Sequence, residues 1–146
     1  MAYQSDTNIR TCFTNAQDPL HPVVSSAVRT LLQRGEVLYY TQQIRREFWS
    51  VCTRPAVSNG LGYGVAETQE RLAEIDAVFH RLPDRPESGP EWDRLMAQYQ
   101  VMGRAAHDAQ IVASMLANGI SHLLTLNTRD FARYSSEITI VDPRDD

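Results

Sequence analysis

The sequence predicts an α/β sandwich with a mainly parallel sheet. Two observations carry this prediction. Short apolar runs of strand length alternate with longer stretches whose apolar residues recur at helical spacing, along the whole chain. No repeat, low-complexity segment or domain linker interrupts the alternation, so residues 1–146 read as one domain. In such sheets, ligands bind beyond the carboxyl ends of the strands, at the point where strand order reverses.

Ala2–Ser5 is short and ends at an acid, and it reads as a strand from its context. Pro22–Arg34 places Val23, Val24, Ala27, Val28, Leu31 and Leu32 at helical spacing, and Gly35 stops it. Val37–Tyr40 is a compact buried strand, which puts Tyr39 and Tyr40 in the core. Thr41 caps the next helix, whose stripe is Ile44, Phe48, Val51 and Cys52 and which Pro55 closes. Val57–Gly64, rich in glycine and containing Asn59, reads as a loop. Val65 to about Ala77 is helical with Leu72 and Ile75 inward, and Val78–Leu82 is a short strand before Pro83. Asp84–Pro90 reads as a loop because of its prolines and glycine. A helix over Glu91–Met102 shows Trp92, Leu95, Met96 and Tyr99 on one face, and Gly103 interrupts it. Another runs from about Arg104 to Asn118, with Ile111, Val112, Met115 and Leu116 apolar and Gly119 as its stop. His122–Leu126 and Ile138–Val141 are the last strands.

A chain of 146 residues can bury a sizeable core. No apolar run is long enough to span a bilayer, and the first residues lack the basic and apolar segments of a secretory signal. The expected location is therefore the cytoplasm, with no membrane partner. Cys12 and Cys52 lack metal-ligand spacing and read as small apolar fillers. The net charge of −4 argues against a generally basic nucleic-acid surface but leaves room for a local one. All 14 cationic side chains are arginines. Base composition of the coding sequence is the ordinary reason, although arginine also grips phosphate with a planar fork.

Four acids stand out: Asp6, Glu47, Asp108 and Asp130. Asp6 follows the first strand, and Asn127 follows the His122–Leu126 strand with Asp130 three residues on. Both should lie at one carboxyl edge of the sheet. Glu47 falls three residues after Ile44 and four before Val51, on their side of the helix. Asp108 precedes Val112 by four and begins that helix's apolar stripe. Each acid has an ordinary reading alone: a turn or cap for Asp6, a border residue paired with an arginine for Glu47, a first-turn acid for Asp108. His107 reads as a surface or packing residue, Trp49 and Trp92 as packing residues, and Asp142, Asp145 and Asp146 as a solvated tail. Together, several carboxylates from remote segments converge on one edge, where like charges raise one another's pKa. Keeping them ionised calls for Mg²⁺ or Mn²⁺, which prefer oxygen ligands; the scattered histidines and cysteines do not suit zinc.

The chain resembles a PIN domain, and within that superfamily the VapC-type toxin ribonucleases. The resemblance covers nearly the whole length. It is carried by Asp6-Thr7-Asn8, Glu47, the stretch Gly103–Ala109 around Asp108, the stretch Leu123–Phe131, and the closing Ile140–Pro143. It implies a three-layer α/β/α fold, with a mainly parallel sheet of about five strands flanked by helices. It also implies an acid cluster that binds Mg²⁺ or Mn²⁺ and cuts RNA. Asp6, Glu47 and Asp108 match the family acids. Where the family often has a further aspartate this chain has Asn127, so either Asp130 substitutes or Asn127 holds a water on the metal. Thr7 matches a position whose hydroxyl supports the site, and Asn8 orders the loop. The implied partners are an RNA substrate, a cognate antitoxin protein and a second copy of the chain.

The expected chemistry is metal-assisted hydrolysis: the ion lowers the pKa of a water for in-line attack on phosphorus and offsets charge on the leaving oxygen. Glu47 or Asp130 orients that water. Arg10, Arg46 and Arg104 are rim candidates for holding RNA phosphates. Three competing readings remain. A stand-alone PIN ribonuclease would have the same site without an antitoxin. An RNA-binding PIN module would have a decayed site. Haloacid-dehalogenase-like phosphatases also put an aspartate after the first strand, but they need a second two positions later, where this chain has Asn8.

Overall fold

The order of strands in the sheet explains where the acids meet. The computed structural model describes residues 1–58 and 60–145. Asn59 in the expected loop and Asp146 in the expected tail lie outside them. Five strands, β1 (Ala2–Ser5), β2 (Val37–Tyr40), β3 (His80–Arg81), β4 (His122–Leu124) and β5 (Thr139–Val141), form one sheet in the order β3-β2-β1-β4-β5. Every neighbouring pair is parallel. The chain builds outward from β1 to β3, then returns to the other side of β1 for β4. The reversal therefore lies between β1 and β4, where an open parallel sheet forms its ligand crevice.

The helices are α1 (Thr7–Thr14), α2 (His21–Gln33), α3 (Gln42–Thr53), α4 (Val65–Asp76), α5 (Ser88–Tyr99), α6 (Ala105–Asn118) and the short α7 (Thr128–Phe131). Helix α1 packs against α2, α3 and α4, while α5 lies along α6. The result is the expected three-layer α/β/α fold. Its core joins Ile9, Leu38, Phe48, Ile75, Val112 and Leu123, all at most 1 % exposed.

Local chemistry accounts for most element ends. Thr41 accepts a hydrogen bond from the Ile44 N–H and caps α3 as expected. Gly35 and Gly119 take φ of +79° and +69°, a region that suits glycine as a helix stop. Cys12 and Cys52 are free, buried thiols, consistent with apolar filling.

Several boundaries differ from the sequence reading. Helix α5 begins at Ser88, so Gly89 and Pro90 belong to it and not to the preceding loop. Proline fits a first turn because that N–H has no intrahelical acceptor in any case. The same helix ends at Tyr99 rather than Met102, with Gln100 turned to φ +50°. Strand β3 keeps only two of the five residues Val78–Leu82, and a 3₁₀ turn at Ala56–Ser58 occupies the start of the expected loop. Asp142 is half-buried and paired with Arg144 at 2.7 Å, which corrects its reading as part of a solvated tail.

Candidate active site

Helix α1 was not anticipated, and it determines the near half of the site. Asp6 is its N-cap: Oδ1 accepts the Thr7 N–H at 2.5 Å. Oδ2 accepts the Thr125 hydroxyl at 2.9 Å. The Asp6 N–H donates to the Leu124 carbonyl, carrying the β1–β4 ladder one step past the strand. The cap reading of Asp6 is therefore met, and the same geometry leaves its carboxylate at the carboxyl end of β1. Burial is the largest influence on its carboxyl and raises its pKa; the bonds from Thr125 and Thr7 and the charge of Arg10 pull the other way.

Glu47 projects from α3 toward the same edge. Its Oε2 accepts the Thr7 hydroxyl at 2.7 Å and its Oε1 accepts Gln43 Nε2 at 3.2 Å. Gln43 Nε2 also lies 3.2 Å from the carbonyl of His107, the residue before Asp108. Thr7 and Gln43 thereby tie together the cap of α1, the acid of α3 and the start of α6. Asp108 sits half-buried in the first turn of α6. Its carboxyl is pushed up to about 6, first by burial and then by the charges of Asp6, Asp130 and Glu47. Four carboxylates from separate segments therefore share one electrostatic environment.

The far rim differs from expectation. Strand β4 ends at Leu124, not Leu126, so Thr125 rather than Asn127 stands beside Asp6. Asn127 is exposed and serves as the N-cap residue of α7, without a side-chain cap bond. Asp130 is exposed in α7 and reaches Asp108 through its charge alone. Asn8 is half-buried, and its Oδ1 has no hydrogen-bond partner among the described residues.

The arginine candidates separate completely. Arg10 is fully buried beneath the site, which overturns its reading as a rim residue. Arg46 and Arg104 are exposed. Arg46 lines an open groove of about 420 Å³ beside the acids, together with Gln43, Trp92, Ala106, His107 and Gln110. A larger cavity of about 660 Å³ lies between α2 and the β5 edge, and none of the four acids lines it. Thr125 and Gln43 escaped the sequence reading. Gln43 had a signal, four residues before Glu47 on one helix face; Thr125 became legible only once the β1–β4 register was set.

The donor set is carboxylate oxygen, with threonine hydroxyls and an amide around it. That chemistry suits a hard divalent cation; burial raises both Asp6 and Asp108, and neighbouring carboxylates add to the rise at Asp108. Among the described residues, no group of three or more His, Cys, Asp or Glu side chains stands close enough to form a ligand shell.

No protein-family model and none of the curated proteins matches the chain. Solved structures do. The chain is similar to VapBC2 from Rickettsia felis, solved with a DNA fragment from its promoter: TM-score 0.70, 16% identity, 97% of this chain and 98% of that chain covered. VapBC-1 from nontypeable Haemophilus influenzae gives TM-score 0.69 at 14% identity, with 98% of each chain covered. VapC20 of Mycobacterium tuberculosis, a sarcin-ricin-loop-cleaving toxin, gives TM-score 0.61 at 16% identity over 90% of this chain and 94% of that one. The chain shares the fold of these toxin–antitoxin proteins along nearly its whole length.

Proposed function

We propose that this chain is a metal-dependent endoribonuclease, the toxin of a type II toxin–antitoxin pair. The observation that carries the reading is that Asp108 feels the charges of Asp6, Asp130 and Glu47, with Asp6 at the end of β1 beside the strand-order reversal. The fold shared with VapC-type toxins supports it. Bound Mg²⁺ or Mn²⁺ would supply a Lewis acid and a water of lowered pKa. Asp6 and Asp108, with Glu47, would hold the ion. Thr125 and the Thr7 N–H fix the Asp6 carboxylate, while Thr7 and Gln43 fix Glu47. Of the two candidates for orienting the attacking water, Glu47 or Asp130, the bonds from Thr7 and Gln43 favour Glu47, and exposed Asp130 would act through its charge. Arg46 holds RNA phosphate in the groove beside the acids, with Arg104 as a second exposed candidate.

A cognate antitoxin would cover this edge of the sheet, and a second copy would complete a homodimer. The adjacent reading frame and the solution mass test those two partners. The test of the activity is RNA cleavage by the purified chain with Mn²⁺ or Mg²⁺. Asp6→Asn and Asp108→Asn should each abolish it while circular dichroism stays unchanged. Metal-dependent cleavage retained by both variants sinks the assignment. The alternative reading is a non-catalytic RNA-binding module. Tight RNA binding with neither Mn²⁺ uptake nor cleavage would establish that reading.

A further inference from the structure

Arg10 occupies a place where helix packing calls for an apolar side chain. It lies on α1, one turn after Asp6, and is 0% exposed. Its Nη2 donates to the carbonyl of Ser5 at 2.8 Å, the last residue of β1. Its guanidinium carbon lies 4.9 Å from the centroid of the Tyr40 ring and 5.8 Å from that of Phe79. Nε and Nη1 have no hydrogen-bond partner among the described residues. Taking a guanidinium out of water is costly unless other groups compensate. One hydrogen bond and two ring faces compensate only in part. The remaining attraction comes from the carboxylates of Asp6 and Glu47. Burial lowers the Arg10 pKa to about 9, which still leaves it cationic at neutral pH.

We propose that Arg10 is the resident countercharge of the acid site, a positioning residue that holds the end of β1 and offsets Asp6 and Glu47 from within. Arg10 and a divalent cation would then offset charge on the same carboxylates. The mutual repulsion of Asp6 and Glu47 is thereby offset in part by a positive charge already held inside the fold at the end of β1. This role rests on the acid site described above, but needs neither metal nor RNA to be tested.

Thermal unfolding in EDTA of the wild type, Arg10→Met, Asp6→Asn and the double variant forms a cycle that isolates the coupling. Arg10→Met should lower Tm clearly in the wild type, and much less, or not at all, in the Asp6→Asn background. Arg10→Lys, which keeps the charge, should recover part of the loss. Added Mn²⁺ should raise Tm more in Arg10→Met than in the wild type. Equal losses in both backgrounds overturn the proposal, as does failure of Arg10→Met to fold in either. A double variant that folds where Arg10→Met alone does not supports it. Coupling in EDTA without any Mn²⁺ shift also supports it, while counting against the metal reading; additivity overturns the Arg10 role even if the chain cuts RNA.

Discussion

The two halves of the acid site are built differently. Asp6 and Glu47 are wired: each carboxylate accepts two hydrogen bonds, and Arg10 lies beneath. Asp108 and Asp130 accept no side-chain hydrogen bond among the described residues and are held by their helices alone. The wired half has its geometry set before any ligand binds, at the expense of burying Asp6. In the unwired half, burial first and then the charges of Asp6, Asp130 and Glu47, offset only in part by His107, push Asp108 up to about 6.

The strongest way to break this comparison is to neutralise one acid in each half. Asp6→Asn and Asp108→Asn should each lower the RNA cleavage rate on the order of 100-fold or more, because each would remove a carboxylate proposed to hold the ion that stabilises charge on the reacting phosphate. Cleavage lost in one variant and kept in the other would show that a single half carries the chemistry.

Unwiring is the next test. Thr125→Val removes the bond to Asp6 Oδ2 and leaves that oxygen buried. It should cost about 1–3 kcal/mol by urea denaturation. Thr7→Val frees half-buried Glu47, and the cost should be about 0.5–1.5 kcal/mol. If neither loses stability, the wired half is wired in appearance only.

The pH dependence reports on the unwired half. Asp108 titrates near 3.8 when unfolded and near 6 when folded. Between those values the folded state binds the extra proton, so its contribution to stability falls as pH rises from about 4 to about 6. In EDTA, Asp108→Asn should flatten that decline and be the more stable protein above pH 6. Asp108 is half-exposed, so salt should shrink the difference. An unchanged pH profile would remove Asp108 from the shared field.

Asp130→Asn is expected to do least. An exposed acid acting through charge alone should change cleavage only about threefold, within the range of exposed charge pairs. A collapse of activity would place Asp130 among the acids that do the chemistry.

What was legible in the chain had local causes. Strand β2, the Thr41 cap and stripe of α3, and the Gly119 stop of α6 all follow from neighbouring residues. Helix α1 was hidden because its buried positions include Arg10 and Thr14 beside Ile9 and Cys12, which breaks the apolar rhythm. The end of β4 was hidden for a related reason: Thr125 continues an apolar-looking run, yet its hydroxyl serves Asp6 across the sheet.

The sequence by itself determined the alternation of elements, and with it the parallel sheet. It also marked Asp6 and Asp108 as acids at a strand end and in a helix's first turn, and Glu47 as an acid on the apolar side of a helix, because period and capping act over a few residues. Only the tertiary structure decided that Arg10 goes inside, that Thr125 takes the position next to Asp6, and that Asn127 and Asp130 stay at the rim. Those outcomes depend on which carboxylate a buried cation faces and which strand lies beside which. Burial and register bring together residues more than a hundred positions apart, such as Asp6 and Thr125, and no local pattern encodes that meeting.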